Sequence, residues 1–180
     1  MLTLLRIMMI PLVVISLYLN QGDLYYLIAS ISFSSAGFTD FIDGYLARRW
    51  QVQSNLGKFL DPIADKLIIT TTLVMLIHTH KIHHSSIFPS LAIICREILI
   101  SGVREFMSDV NIKMPVTNIA KVKTGSQIVA INLLILSGCE FLSILYLQVF
   151  GEIALWFAAT LTVYSGYQYL KVPIQHFKNS

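Results

Sequence analysis

The sequence predicts an all-α integral membrane bundle of six transmembrane helices with both termini in the cytoplasm. Three observations carry that expectation. The 180-residue chain is 55% hydrophobic and only 13% charged, with a mean hydropathy of +0.68, more apolar side chain than a soluble domain of this length can bury. Its apolar residues fall in runs divided by short polar breaks, and a spanning helix takes about 20 mostly apolar residues, so roughly six fit in one domain covering residues 1–180. The cations, finally, collect on alternate links.

Taken in order, the first helix covers residues 2 to 19, with Pro11 as an expected kink. It ends in Asn20, Gln21, Gly22 and Asp23 instead of a small-x-small cleavage site, so it is expected to be retained and not to be a signal peptide. The second helix covers residues 24 to 48, and its Ser30, Ser34, Ser35, Ala36 and Gly37 predict close helix packing. The third runs from 56 to 78, the fourth from 87 to 107, the fifth from 119 to 137 and the sixth from 149 to 170. Between the last two, Glu140 and Glu152 are the markers of the turn. Asn132, in the middle of the fifth helix, is expected to bond a neighbouring helix.

Arg48, Arg49, Lys58 and Lys113 lie on the links after the second and fourth helices, with Lys121 and Lys123 just beyond and Lys171 and Lys178 near the end, whereas the other links hold only Lys81. The positive-inside rule then places those links and both termini in the cytoplasm. The formal net charge of +3 is small and the cations form no basic run, so no nucleic-acid partner is expected. Cys95 and Cys139 read as small buried hydrophobes, and His78, His80, His83 and His84 as an exposed polar outer loop.

Four of the ten acidic residues, Asp40, Asp43, Asp61 and Asp65, stand at spacings of three and four where two apolar segments meet. At roughly 100° per residue, Asp40 and Asp43 share one face of the second helix with Ala47 below them. Gly57, Asp61 and Asp65 similarly share a face of the third. A short link makes these helices antiparallel neighbours whose acidic faces can meet. Carboxylates so gathered repel unless cations are present, and hard oxygen ligands suit Mg²⁺ or Mn²⁺, with enough of them for two ions. Mg²⁺ keeps coordination positions for substrate phosphates, so the constellation reads as a site for a phosphate-bearing substrate. Gly44, Ala47 and Gly57 clear room beside it and Arg48 offers a planar donor fork.

The pattern Asp-x2-Asp-Gly-x2-Ala-Arg-x8-Gly-x3-Asp-x3-Asp resembles the signature of the CDP-alcohol phosphatidyltransferases, matched at Asp40, Asp43, Gly44, Ala47, Arg48, Gly57, Asp61 and Asp65. The resemblance covers nearly the whole chain. It implies six transmembrane helices, a homodimer, and transfer of a substituted phosphate from a CDP-linked lipid to an alcohol with release of CMP. It also implies that Asp40, Asp43, Asp61 and Asp65 bind the metals, that Asp65 is the catalytic base, and that Gly44, Ala47, Arg48 and Gly57 line the cytidine diphosphate pocket.

A second set of residues bears on the alcohol. Arg96 is near the middle of the fourth helix, where an unpaired charge costs about 3 kcal/mol, so it should face a partner or a water-filled cavity. Glu97 and Arg104, seven residues apart, could partly compensate each other, and one reading of these charges is an internal ion-pair network. The other is an anionic acceptor pocket, in which Arg96, Arg104, Lys121 and Lys123 surround a phosphate and Thr124 and Gln127 add neutral hydrogen bonds. Arg-Glu, a second Arg-Glu and then Lys-x-Lys-Thr-x2-Gln resemble the branch of the family that uses CDP-diacylglycerol as donor and sn-glycerol 3-phosphate as acceptor. Members of that branch carry Asn-x-Pro-Asn ahead of Leu-Thr-x2-Arg. Here the sequence begins almost at Leu2, Thr3 and Arg6, a departure from the branch's pattern that bears on the nucleotide contacts and interfacial anchoring of that segment. Together these readings predict a multi-pass protein of a bacterial inner membrane with its site facing the cytoplasm. The alternatives are the same CDP-lipid chemistry with inositol phosphate, serine or a lipid alcohol as acceptor, and, more remotely, a divalent-cation transporter.

Overall fold

A computed structural model describes the backbone of residues 2–50, 55–110, 112 and 118–179, and the side chains of residues 4–39, 60–110, 112, 119–142, 146–171 and 173. Among these residues the protein is all helical: α1 (Leu2–Leu19), α2 (Asp23–Trp50), α3 (Asn55–His78), α4 (Ile87–Asp109), α5 (Asn118–Leu136) and α6 (Leu147–Asn179), with short 3-10 helices at His84–Ser86 and Glu140–Leu145. The six expected helices are therefore present. The largest departure is α6, which runs well past residue 170 at its C-terminal end. Both α1 and α3 continue through their internal prolines, Pro11 and Pro62.

Local chemistry ends the helices. After α1, Asn20 takes a left-handed conformation with φ 41° and its N–H bonds the Ser16 carbonyl. At the end of α3, His80 at φ 56° lets its own N–H reach Ile77 and that of Lys81 reach Leu76, so two otherwise orphaned carbonyls are satisfied. In α4 the proline, Pro89, falls in the first turn, where no intrahelical donor is lost.

Packing divides the bundle into two triplets. α1 lies against both α2 and α3, α6 lies against both α4 and α5, and α2 against α5 joins the two. The joint is held as the polar reading of α5 expects: Ser30 Oγ and Ser34 Oγ donate to Asn132 Oδ1 at 3.0 and 2.9 Å. Gly37 completes it, since a Cβ there would stand 3.3 Å from the Ile128 side chain. The core between the helices is built of Val13, Leu17, Phe33, Leu73, Leu76, Ile93, Ile131, Leu134 and Leu155, with Cys139 buried among them. Cys95 is exposed on α4, contrary to the expectation that both cysteines are buried.

Large apolar side chains also cover the outside: Met8, Ile15, Ile31, Phe38, Phe88, Ile98, Ile153, Phe157 and Val163 are all exposed. A surface this apolar belongs in lipid. Among the described residues, three segments are long and apolar enough to cross a bilayer, His84–Asp109, Ile119–Leu136 and Leu147–Lys171, and Leu4–Leu19 is a shorter apolar helix. The protein is an integral membrane protein in class.

Candidate active site

A cavity of about 1040 Å³ opens at one end of the bundle. Every helix reaches it from that end: α1 through Arg6, α2 through Phe33 to Gly37, α3 through Asp65 and Lys66, α4 from Arg96 to Asp109, α5 from Ala120 to Ile128 and α6 through Tyr169. An alternating up-and-down chain brings the start of odd helices and the end of even helices to one pole. Residues far apart in sequence thereby meet.

On the α3 wall, Asp65 is 40% exposed at its side chain and forms an ion pair with Arg6 of α1, which is 1% exposed. Asp61, one turn earlier, is partly buried. Lys66 also lines the cavity and its Nζ donates to the Pro62 carbonyl at 2.6 Å. Sequence reasoning used Arg6 only as part of a resemblance and passed over Lys66. The signal for Arg6 was available, a lone cation inside an apolar helix, which calls for a charged partner.

The opposite wall carries a polar network across three helices. Lys123 Nζ of α5 donates to Glu97 Oε1 of α4 at 2.5 Å, and Gln127 Nε2 donates to the same oxygen at 3.3 Å and to Thr162 Oγ1 of α6 at 3.0 Å. Arg96 lies 3.5 Å from Glu97 Oε1 and donates through Nη2 to Ser165 Oγ of α6 at 3.0 Å. Lys123 and Gln127 are 5% and 1% exposed, so this is a desolvated cluster in which one carboxylate organises two cations and an amide. The expected pairing of Glu97 with Arg104 is corrected here: the partners shown for Glu97 are Lys123, Gln127 and Arg96. A side-chain period along one helix could not anticipate this, because Lys123 reaches Glu97 from the neighbouring helix.

Arg104 is exposed and its guanidinium lies 5.6 Å from the Tyr169 ring centre, with that of Arg96 5.7 Å from the same ring. Two buried polar atoms, Arg96 Nε and Gln127 Oε1, have no hydrogen-bond partner among the described residues. All six residues of the expected acceptor pocket, Arg96, Arg104, Lys121, Lys123, Thr124 and Gln127, line this cavity together with Asp65. Thr124 Oγ1, however, donates to the Ala120 carbonyl at 3.1 Å. The ion-pair reading and the pocket reading of these charges thus describe the same wall: Glu97 fixes the inner cations while the cavity keeps access to the cluster.

The side chains of Asp40, Asp43, Gly44, Ala47, Arg48 and Gly57 lie outside the described residues, although their backbone belongs to α2 and α3. Of the four motif carboxylates the structure thus describes Asp61 and Asp65. These two, one turn apart on a helix, offer hard oxygen donors, with Asp65 at the cavity wall, and that donor set suits a divalent cation. Among the described residues there is no cluster of three or more histidine, cysteine or carboxylate ligands.

A family model of the CDP-alcohol phosphatidyltransferases matches residues 1–164, and the chain belongs to that family. Relatives with a stated activity narrow the comparison. Over 176 residues, 98% of this chain and 94% of the relative's, it is 42% identical to the CDP-diacylglycerol--glycerol-3-phosphate 3-phosphatidyltransferase of Rickettsia felis. The enzymes of the same name from Haemophilus influenzae and Bacillus subtilis are 37% and 32% identical, covering 95% and 99% of this chain and 90% and 95% of theirs. Family membership makes the protein a phosphatidyltransferase and removes the transporter alternative.

Proposed function

We propose that this protein transfers the phosphatidyl group of CDP-diacylglycerol to sn-glycerol 3-phosphate, giving phosphatidylglycerophosphate and CMP. The observation that carries the reading is that one cavity joins Asp65 of the family signature to the cations Arg96, Arg104, Lys121 and Lys123. A donor diphosphate and an anionic acceptor call for these two kinds of wall. The full identity of the acceptor comes from the relatives, whose names carry it at 32–42% identity over nearly the whole chain.

In the proposed reaction the acceptor hydroxyl oxygen bonds to the phosphorus that carries the diacylglycerol, and the bond from that phosphorus to the CMP oxygen breaks. Asp65 accepts the hydroxyl proton, and CMP leaves with the bonding electron pair. Arg6 holds the Asp65 carboxylate toward the cavity. Arg104 and Lys121, at the exposed side of the pocket, receive the acceptor phosphate, and Arg96, Lys123, Thr124 and Gln127 form its inner wall. Gly44, Ala47, Arg48 and Gly57 line the cytidine diphosphate pocket in this proposal. Family members generally depend on divalent metal; here Asp40, Asp43, Asp61 and Asp65 would hold Mg²⁺ or Mn²⁺, two ions in all. Bound there, the metal would supply charge to polarise the diphosphate and stabilise departing CMP.

Six membrane spans, both termini and the cavity on the cytoplasmic side of a bacterial inner membrane, and a homodimer complete the proposal. The cation distribution supports the orientation: the cavity opens at the pole where Lys121 and Lys123 lie, and Lys81 lies at the other. The lipid tails of CDP-diacylglycerol would stay in the bilayer while soluble acceptor enters from the cytoplasm. The test is CMP release by purified protein from CDP-diacylglycerol in mixed micelles, titrated with glycerol 3-phosphate and with inositol phosphate and serine as competitors. Saturable dependence on glycerol 3-phosphate and on Mg²⁺ or Mn²⁺ is expected. Release that ignores glycerol 3-phosphate, or prefers another alcohol, overturns the acceptor.

A further inference from the structure

The sixth helix carries none of the signature, yet it forms the back of the cationic wall. Thr162, Ser165, Gly166 and Tyr169 follow each other at intervals of three, one and three, which brings them to one face of α6. Each meets the cluster. Thr162 Oγ1 accepts from Gln127 and Ser165 Oγ from Arg96, both at 3.0 Å. A Cβ on Gly166 would lie 3.0 Å from Arg96 Cγ and 3.2 Å from its Nε, so the missing side chain is what lets the Arg96 stem lie flat on α6.

Tyr169 is the member of this face that meets both Arg96, on the inner wall, and Arg104, on the exposed side. Arg96 and Arg104 are eight residues apart on α4, about 12 Å of helix rise. Even so, both guanidiniums lie within 6 Å of one ring, at 5.7 and 5.6 Å from its centre. Two cations of like charge drawn to one point repel, and the negative face of an aromatic ring offsets that repulsion without neutralising either charge. A carboxylate in the same place would bind the arginines more strongly and compete with an anionic ligand. The ring leaves their N–H donors available to one. Arg96 has further anchors in Glu97 and Ser165, and among the described residues Arg104 lies against the ring of Tyr169.

We infer that Tyr169 is a specificity-determining positioning residue: its ring face holds Arg96 and Arg104 converged on the cavity and so selects an acceptor that carries a phosphate over a neutral alcohol. The inference rests on the functional reading above. It locates acceptor selection partly on α6, where the buried ring is 5% exposed and lines the cavity that holds Asp65.

The test is the KM for glycerol 3-phosphate in the CMP-release assay for Tyr169→Met, which removes the ring at similar bulk, and Tyr169→Phe, which keeps it. Tyr169→Met raises that KM about tenfold, as loss of a desolvated cation–π contact would, and Tyr169→Phe raises it by clearly less. The KM for CDP-diacylglycerol does not follow either change. A third series is independent of whether Tyr169→Met folds. Progressively fluorinated phenylalanines at position 169 keep the ring's shape while draining its negative face, and the KM for glycerol 3-phosphate climbs with each fluorine. A flat fluorination series, a Phe variant as impaired as the Met variant, or an equal rise in the KM for CDP-diacylglycerol overturns the inference while the wild-type enzyme still saturates with glycerol 3-phosphate. A wild-type enzyme that does not respond to glycerol 3-phosphate overturns the functional reading itself.

Discussion

The two poles of the bundle use carboxylates in opposite ways. At the cavity pole, Asp65 meets the Arg6 side chain, and Glu97 meets those of Lys123 and Arg96, in contacts between different helices. At the far pole the acids bind turns. Asp23 accepts the backbone N–H groups of Glu140 and Phe141 at 2.7 and 3.4 Å, which caps the short 3-10 helix there. Glu152 accepts from the His83 N–H and Ser86 Oγ, both at 3.0 Å, and its Oε1 lies 2.5 Å from His83 Nδ1. Asp23, on two backbone donors, and Glu152, on a backbone N–H, a hydroxyl and an imidazole, use their oxygens to tie turns to helices. A carboxylate that pairs with a cation in a desolvated cavity fixes a charge pattern that a ligand can read. Acidity alone therefore does not mark a site; what the acid is bonded to does.

The comparison breaks most visibly at Asp65. Under the proposed chemistry Asp65→Asn lowers the rate of CMP release by about 10² to 10⁴-fold, the range expected when a positioned general base is lost. Retention of near wild-type turnover removes Asp65 from the reaction. The matching substitution at the far pole, Glu152→Gln, leaves turnover in place.

Next in size is Glu97. Glu97→Gln leaves the buried Lys123 cation without its carboxylate and costs about 3–5 kcal/mol of stability, read as a lowered unfolding temperature in detergent. Glu97→Leu combined with Lys123→Met recovers most of that loss, because the pair is removed together. A double variant no more stable than Glu97→Gln would show that the pair is not the origin of the effect.

Arg104→Ala sharpens the division of labour within the cavity. Loss of one charged hydrogen-bond donor to a phosphate corresponds to about 1.5–3 kcal/mol, so the KM for glycerol 3-phosphate rises roughly 10 to 100-fold while that for CDP-diacylglycerol holds. Equal rises in both would place Arg104 on the donor side of the site. The smallest expected effect belongs to the far pole: Glu152→Gln lowers stability by about 1 kcal/mol through weakened bonds to His83 and Ser86, measurable as a small shift in thermal unfolding. A strong loss of activity in that variant would contradict the contrast between the poles.

Most of the helical plan was legible in the sequence, because the length and spacing of apolar runs are set by the bilayer and by helix geometry. The turn after α5 was less so. Phe141, Leu142 and Val149 are apolar enough to hide it, and the break falls at Tyr146, which adopts φ 49° between the 3-10 helix and α6. In the site, six residues of the cavity lining, Arg96, Arg104, Lys121, Lys123, Thr124 and Gln127, could be named from their types and spacing as the proposed acceptor pocket. Their partners could not, since Lys123 on α5 meets Glu97 on α4 and Tyr169 on α6 meets both arginines. Thr162, Ser165, Gly166 and Tyr169 read on their own as ordinary residues of an apolar helix.

By itself, then, the sequence determined the class of protein and the chemistry it carries: apolar runs specify membrane helices through local physics, and the signature from Asp40 to Asp65 has fixed spacings within and between two consecutive helices. Only the tertiary structure decided which charges face which. It set Arg6 on Asp65, let Glu97 organise the inner cations, and stood the ring of Tyr169 beneath Arg96 and Arg104. Those pairings depend on how helices distant in sequence are rotated and packed, and no periodicity within a single helix encodes that.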